Sequence, residues 1–460
     1  MDFINAFFTD FSSFLWGWPM IVLLLGTHIF LTFRLRIPQR KIFTAIRLSV
    51  KKDKEADGDM SQFGALATAL AATIGTGNII GVATAVALGG PGAVLWCWVS
   101  GVFGMSTKYA EGLLAVKYRV KTSNGKMLGG PMYALERGLG WKTMAVLFAV
   151  FTLCASFGTG STVQANAIAS MLDNTYHVSP YITGIVVSAL TAAVVIGGDK
   201  TIERVCGTLV PFMALFYILG CVYILCINHT YVWPALKLIC VSAFTPQAAG
   251  GGFVGTTVIM AARYGIARGL FSNESGLGSA PIVAAAAKTR NPVRQALVSS
   301  TGTFWDTVVI CAITGIVIVS SILAYPDIDA SNGALLTKKA FSNIPYIGEP
   351  ILCIGLATFA FSTTLGWCYY GERAMEYLKG KMWVNVYRAV YILSVFGGCV
   401  ANLYVVWSLA DCMNALMAIP NLLSLIFLSG VIARETKKYL WDGNLDMEMD
   451  DEPVELPEKK

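Results

Sequence analysis

The chain has 460 residues, of which 55% are hydrophobic and 13% are charged, whereas soluble domains carry about a quarter charged residues. This composition predicts a polytopic membrane protein rather than a soluble nucleotide-binding or nucleic-acid-binding protein, and the net charge of +6 fits basic residues in cytoplasmic loops. The 11 cysteines form no CxxC pair and the 3 histidines are scattered, so neither disulfides nor a metal cluster are predicted.

The first apolar segment, residues 16–33, is long enough to cross a bilayer. No cleavable signal peptide is expected, because residues 1–16 lack a positively charged start. The densest basic run follows, from Arg34 to Lys54, and the positive-inside rule places it in the cytoplasm and the N-terminus outside. Within it, residues 42–50 have the pattern of an amphipathic helix on the inner membrane surface, although a solvated linker is an alternative.

Ten further apolar segments alternate across the membrane. They are residues 62–88, 93–116, 144–171, 181–197 and 207–227, a second interrupted segment that ends at Lys288, and residues 296–323, 349–371, 385–406 and 410–433. We therefore predict an all-α protein of about eleven transmembrane helices. Residues 1–440 form one integral domain, in which residues 1–60 add a helix and a basic segment to a core over residues 61–440. The acidic residues 441–460 are predicted to form a cytoplasmic tail that is disordered after Asp446.

The segment 62–88 is interrupted in its middle by Gly75, Gly77 and Gly81, and residues 76–78 form a Thr-Gly-Asn step. Glycine at this density destabilises a helix and frees backbone N–H and C=O groups that lipid cannot satisfy. The break must therefore face protein or a wet cavity, where the freed groups can hold a ligand. Close helix packing through Gly77 and Gly81 is the alternative.

A second interruption covers residues 267–281, which contain glycines, small polar residues and the carboxylate of Glu274. Two interrupted helices in corresponding positions of two halves indicate a transporter site. They are the first and sixth of the ten later segments and so begin two five-helix units. Because five is odd, the units are inverted in the membrane, which is the layout of leucine-transporter-type secondary carriers.

Several longer motifs resemble the alanine or glycine:cation symporter family, and the similarity runs from about residue 10 to 440. The motifs are Ile74–Ala85, Gly89–Ala93, Val163–Asn166, Gly269–Pro281 and Gly371–Arg373. The resemblance implies sodium-coupled uptake of alanine or glycine by alternating access across a bacterial or archaeal plasma membrane. It implies no cofactor other than the coupling sodium ion, and no enzymatic activity.

The first break offers two sets of backbone groups. Free amides near Gly77 and Asn78 begin a half-helix and favour a carboxylate, whereas free carbonyls from Ala71 to Ile74 end the other half-helix and suit sodium. The leucine-transporter resemblance implies that Thr76 and Gly77 amides bind the substrate carboxylate, in the loop that includes Gly75 and Asn78. Local capping by Thr76 and Asn78 is the alternative.

Three consecutive hydroxyls in segment 349–371 suggest the other half of a sodium site. Thr363 and Thr364, with the carbonyls of Ala360, Ala71 and Ile74, resemble the sodium site of carriers of this fold. Hydrogen bonds to the preceding helical turn are the alternative.

Trp367 is one turn further on the Thr363 face and is expected either to line the substrate pocket or to pack. With Phe271 it would leave room for a small side chain only. A side chain at Gly77 would fill that space and penalise any glycine-only backbone angle.

Polar residues in two other segments complete the predicted site. The family motif favours Gln164 for substrate binding and Asn166 for a structural role. Phe271 and Ser272 end a half-helix whose negative dipole end suits an ammonium group, and Asn273 offers further hydrogen bonds.

Two buried carboxylates have open roles. Glu274 is expected above all to pair with Arg268 or Arg263, although it can also bind ammonium or a proton. Asp306 has the same alternatives.

Three rival functions remain after this comparison. An enzyme lacks a convergent His, Cys and Asp set, and a channel lacks a selectivity filter. A proton-coupled carrier, with Glu274 or Asp306 as its proton site, is the nearest rival.

Overall fold

The computed structural model describes residues 2–51, 56–246, 255–328, 333–342, 348–401, 404–449 and 453–456. Within these ranges, 7 helices are long and apolar enough to cross a membrane, or 8 if the bent pair Gln62–Thr73 and Gly77–Gly89 forms one span. The chain is therefore a multi-pass, mostly helical membrane protein. The count of about eleven spans and their inverted repeat stay predictions.

The helices follow one another with short connections. Up to residue 195 they are α1 (Asp2–Leu15), α2 (Trp18–Arg34), α3 (Ile42–Val50), α4 (Gln62–Thr73), α5 (Val82–Gly89), α6 (Gly92–Lys117), α7 (Pro131–Tyr133), α8 (Lys142–Ala155), α9 (Val163–Tyr176) and α10 (Pro180–Val195). The later ones are α11 (Asp199–Ile227), α12 (His229–Ser242), α13 (Val258–Asn273), α14 (Pro281–Ala284), α15 (Pro292–Thr303), α16 (Ala312–Ala324), α17 (Gly333–Ser342), α18 (Gly348–Lys379), α19 (Val384–Val400), α20 (Tyr404–Phe427) and α21 (Ser429–Thr436).

Shorter elements complete the chain. Single 3-10 turns are Pro38–Lys41 and Lys381–Trp383, and π-helical segments are Gly77–Gly81, Ala134–Gly138, Ser156–Thr162, Phe304–Cys311 and Lys437–Trp441. The strands β1 (Val120–Thr122), β2 (Met127–Leu128) and β3 (Val454–Leu456) form one small sheet in the order β2-β1-β3.

Each predicted apolar segment coincides with a helix or a helix pair, but the structure adds helices that the hydropathy pattern did not predict, among them α1, α12 and α17. α12 is too short to span the membrane and contains Pro234 and Lys237, and α17 is shorter still. The predicted amphipathic helix is confirmed as α3, with Phe43 largely exposed. Residues 52–55, at the end of the basic run, lie outside the described ranges.

The predicted cytoplasmic end of α18 is held by ion pairs, which explains the Gly371–Arg373 motif. Glu372 accepts two hydrogen bonds from Arg388 of α19, both 2.7 Å long. Arg373 pairs with Asp199 of α11 and with Glu376 one turn further along α18. Because these side chains are largely buried, removing one partner would leave the other charge uncompensated.

The acidic tail is ordered where the structure describes it, so the prediction of disorder is wrong for these residues. The Asn291 Nδ2 donates to the carbonyls of Leu445 and Met447, at 2.9 and 2.8 Å. Further on, β3 pairs in parallel with β1. The tail docks because backbone carbonyls find donors at the start of α15, which its charge does not reveal. Residues 450–452 and 457–460 lie outside the described ranges.

Asn291→Asp should release the tail without removing the cap of α15. The aspartate keeps the oxygen that accepts the Arg294 N–H and loses both hydrogen bonds to the tail, which are together worth about 1–3 kcal/mol. Cleavage of the solubilised protein after Glu448 by a glutamate-specific protease should then accelerate at least about fivefold. The same change at exposed Asn385 is the control. An unchanged cleavage rate in Asn291→Asp would show that these bonds do not hold the tail.

Candidate functional site

The first break lies where the sequence predicts it, between α4 and the π-helical segment that leads into α5. The two halves bend by 53°. The Asn78 Oδ1 accepts the Gly75 N–H at 2.9 Å, and the Asn78 N–H donates to the Gly75 carbonyl at 3.2 Å. Asn78 therefore caps the resumed helix, as the capping alternative proposed. Thr76 and Gly77 are the first residues of the resumed helix. Their amides therefore have no acceptor within that helix.

The second break is the unwound segment 274–280, between α13 and α14. The backbone is left-handed at Gly276 and Gly278, with φ of 92° and 86°, angles that a side chain would strain. Their N–H groups donate to one oxygen of Glu111 on α6, at 3.0 and 3.1 Å. Asn421 of α20 donates to the same oxygen and to the Gly276 carbonyl. Glu111 and Asn421 thus replace the hydrogen bonds that helix would have made.

Asp306 joins the two breaks through neutral hydrogen-bond donors. Its Oδ1 accepts the Asn78 Nδ2 at 2.7 Å, and its Oδ2 accepts the hydroxyls of Ser272 and Thr307, at 3.0 and 2.7 Å. Asn273 donates to Thr307, so its amide is also engaged. Asp306 is fully buried. This carboxylate therefore lies at the meeting point of the two breaks, where a cation or a proton would neutralise it.

Glu274 does not pair with Arg268 or Arg263, so that expectation is wrong. Its oxygens accept the Trp367 Nε1 at 3.0 Å and the Ser279 hydroxyl at 2.5 Å. The left-handed backbone of Glu274, with φ of 53°, turns it away from the axis of α13 on which both arginines lie. Trp367 consequently links α18 to the second break, and its role as a pocket wall stays a prediction.

The Gln164 side chain faces the first break with an unused acceptor. Its Nε2 donates to the Thr159 carbonyl at 3.1 Å. Its Oε1 is buried, has no hydrogen-bond partner among the described residues, and lies 3.6 Å from where a Cβ of Gly75 would be. An acceptor in this state suits a substrate ammonium group. Asn166 instead donates to the Gly398 carbonyl of α19, which fits the structural role expected for it.

Three helices that carry site residues contain π-helical winding close to those residues. The segments are Gly77–Gly81, Ser156–Thr162 just before Gln164, and Phe304–Cys311 around Asp306. A π-helical turn contains one more residue than the α-helical pattern and often occurs at functional sites. In the sequence, two of these three segments contain pairs of glycines, at residues 77 and 81 and at residues 158 and 160.

Five oxygens converge between the end of α4 and the middle of α18. The Ser362 hydroxyl lies 3.2 Å from the Ala71 carbonyl and 2.9 Å from that of Phe359. The Thr363 hydroxyl lies 3.3 Å from the Ile74 carbonyl and 3.0 Å from the same Phe359 oxygen. The structure thus brings together the predicted oxygens of Ala71, Ile74 and Thr363 and adds those of Ser362 and Phe359.

Thr364 and Ala360, the other two predicted ligands, are paired with each other on a different face of α18. The Thr364 hydroxyl donates to the Ala360 carbonyl at 3.0 Å, and the Thr364 carbonyl accepts the Tyr391 hydroxyl. Because consecutive helical residues differ by about 100°, two of three adjacent hydroxyls can face α4 together. The sequence did not identify which two, and Ser362 was missed.

A cavity of about 200 Å³ lies between α1, α13 and α20. Phe271, which precedes Ser272, lines it together with the charged side chains of Arg263, Arg268 and Asp411. A charged cavity therefore lies next to the end of α13, where the second break begins.

The profile of the sodium:alanine symporter family matches residues 1–452. The chain belongs to this family. It is 51% identical to the sodium/alanine symporter AgcS of Methanococcus maripaludis, over 95% of this chain and 98% of that protein. It is 35% identical to the probable sodium/glutamine symporter GlnT of Bacillus subtilis, over 93% of this chain and 89% of that protein.

The fold also resembles the crystal structure of MhsT in complex with L-phenylalanine. The TM-score is 0.55 at 15% identity, over 83% of this chain and 98% of that one. This likeness shows the leucine-transporter-type fold alone. Family membership makes the chain a cation-coupled amino-acid symporter. The relatives named here are described as transporters and not as enzymes.

The glycines of the first break differ in how much room they leave in this symporter. A Cβ on Gly77 would lie 3.4 Å from the Ser272 Cα and 3.5 Å from the Phe271 ring, an ordinary contact. Gly77 has no glycine-only backbone angle, because its φ is not left-handed, so a side chain there carries no such penalty. A Cβ on Gly81 would meet nothing within 4 Å, so packing does not require Gly81. Gly75 is the crowded position.

Gly75→Ala should damage ligand binding in the symporter. The new Cβ would lie 2.5 Å from the Thr363 Oγ1, so that hydroxyl must move away from the Ile74 carbonyl. Alanine and sodium affinities of the monodisperse protein should each fall at least about tenfold. Gly81→Ala is the matched control and should change them by less than about twofold. Wild-type affinities in Gly75→Ala would separate this glycine from the site.

Proposed function

We propose that this symporter carries sodium together with a small neutral amino acid, alanine or glycine, into the cell. The observation that carries the proposal is the convergence of five neutral oxygens beside a helix break that also presents free amides. A cation site and a carboxylate site then share one short piece of backbone. Binding of either ligand orders that backbone for the other, which is a physical basis for coupling.

The sodium ion is proposed to bind the carbonyls of Ala71, Ile74 and Phe359 and the hydroxyls of Ser362 and Thr363. Both hydroxyls donate to carbonyls of this set. Rotating the two O–H groups away would present five oxygens to one point. The carbonyl end of α4 carries the negative end of the helix dipole, which adds to the attraction.

The substrate carboxylate is proposed to bind the Thr76 and Gly77 amides, next to Gly75 and the Thr363 hydroxyl. The ammonium group would lie between the Gln164 Oε1, which lacks another partner among the described residues, and the carbonyl end of α13 at Phe271 and Ser272. The dipoles of the two half-helices then match the two charges of a zwitterion.

Asn78 and Asn273 are proposed to position the breaks rather than to bind the substrate directly, because their amides are already engaged. The closeness of the Phe271 ring to Gly77, and of Thr363 to Gly75, leaves little room beside the backbone. A small substrate side chain fits this arrangement, and a large one does not.

We also propose a plasma-membrane location with the N-terminus outside and the C-terminus in the cytoplasm. Basic residues concentrate at the loop from Arg34 to Lys51 and after Arg434, as the positive-inside rule requires of cytoplasmic segments. In this orientation the cavity that Phe271 lines, next to α1, opens toward the outside. It would admit the substrate before the site closes.

Reconstitution in proteoliposomes tests the function directly. An inward sodium gradient should concentrate labelled alanine at least about tenfold above equilibration, and leucine at similar concentrations should compete poorly. A proton gradient without sodium should drive no accumulation. Accumulation under the proton gradient alone would favour the proton-coupled alternative, with Asp306 as its site.

Substitutions in α18 test the proposed sodium ligands. Ser362→Ala combined with Thr363→Ala should raise the sodium concentration for half-maximal uptake at least about tenfold, because two of five oxygens are lost. Thr364→Ala is the matched control, since its hydroxyl bonds only within α18, and should shift this concentration by less than about threefold. A larger effect of Thr364→Ala than of the double variant would instead assign Thr364 and Ala360 as sodium ligands and exclude Ser362.

A further inference from the structure

A lysine lies buried in the core of the symporter. Lys108 of α6 is 3% exposed, and its Nζ has no hydrogen-bond partner among the described residues. The nearest acidic oxygen that it pairs with is the Glu111 Oε2, at 3.8 Å on the next turn of the same helix. That oxygen also lacks a hydrogen bond, because the other oxygen of Glu111 holds the second break. A charge at membrane depth is costly and usually functional.

Lys108 lines a small cavity between the two interrupted helices. The cavity has room for about one water molecule, ≈ 20 Å³, and is lined by Thr73 of α4, Ala280 next to α14, and Gln295 and Ser299 of α15. The Gln295 Oε1 is also buried without a partner in the described part of the chain. Lys108 therefore has acceptors within reach of a flexible stem and space in which to move.

Buried carboxyl groups outnumber buried lysines beside the two breaks. Lys108 and the carboxyl groups of Glu111, Glu274 and Asp306 are all buried. The hydrogen bonds of Glu274 and Asp306 come from neutral groups. Sodium adds positive charge to the loaded carrier and removes it when it leaves. A carboxylate of this set that is ionised is then without the charge of sodium while the empty carrier returns, and Lys108 is the cation within ion-pair distance of Glu111.

We propose that Lys108 is a positioning residue, a tethered counter-cation that allows the carrier to return after sodium and substrate have left. This proposal rests on the proposed function, since it assumes that a sodium ion supplies the positive charge while the carrier is loaded. The ammonium group then stabilises the Glu111 carboxylate that holds the second break. Because α4 and α14 border its cavity, it can follow both interrupted helices as they move.

Two transport modes of reconstituted protein separate this role from binding or folding. Net uptake requires return of the empty carrier, whereas exchange of labelled for unlabelled alanine, with equal sodium on both sides, does not. In Lys108→Met, net uptake should fall at least about tenfold, while exchange changes less than about threefold. Lys237→Met, which removes an exposed lysine of α12, is the control and should alter neither mode.

The double variant Lys108→Met with Glu111→Gln tests the electrostatic origin. Gln keeps an oxygen for the Gly276 and Gly278 amides and removes the charge that Lys108 balances. Net uptake should recover at least about threefold over Lys108→Met. Lys108→Arg, which keeps the charge, should retain more net uptake than Lys108→Met and decides the matter if the methionine variant is not monodisperse.

Several results would overturn the proposal. Equal loss of exchange and net uptake in Lys108→Met would assign the lysine to binding or folding, and unchanged net uptake would assign it no role. A double variant as slow as Lys108→Met would leave packing as the explanation. Failure of the proposed function is recognised separately, because wild-type protein would then show no sodium-driven uptake before any variant is made.

Discussion

Backbone groups freed inside a membrane need protein partners, because lipid offers none, and the rest of this structure depends on that constraint. Asn78 closes the first break with its own side chain, and Glu111 and Asn421 close the second from two other helices. The groups that these side chains do not satisfy are the ones proposed to hold ligands. They are the amides that begin the resumed helix, the carbonyls that end α4, and one oxygen of Gln164.

Residues with a local cause were predictable from the sequence, and residues whose role depends on orientation were not. Glycines located the first break, and the order of apolar segments located its partner. The contact of the Ser362 hydroxyl with α4, in place of that of Thr364, depends on the rotation of each residue about α18. The bond from Trp367 to Glu274 depends on a left-handed backbone angle. Neither leaves a pattern in the sequence. The docked tail likewise depends on the amide of Asn291, far away in the chain.

The charges of the molecule divide into two kinds. At the predicted cytoplasmic end of α18, Arg373 and Arg388 meet carboxylates directly, so these groups are neutralised permanently and hold helices together. At the breaks, Glu274 and Asp306 are held by indoles, amides and hydroxyls instead. Dipoles of that kind stabilise a carboxylate without cancelling its charge. Ion-paired charges suit a fixed contact between helices. Carboxylates held by neutral donors can still attract a cation that binds and leaves.

The π-helical segment Ser156–Thr162 has an evolutionary consequence. Its extra residue rotates everything after it by about 100° relative to a regular α-helix. Gln164 therefore faces the first break because of a residue that lies before it in the chain. A homologue of the same length that winds this stretch as regular α-helix would present the position of Val163 instead, whereas one that lacks the extra residue would keep the amide on the same face. The winding of this stretch, as well as substitutions, thus decides which relatives share this acceptor.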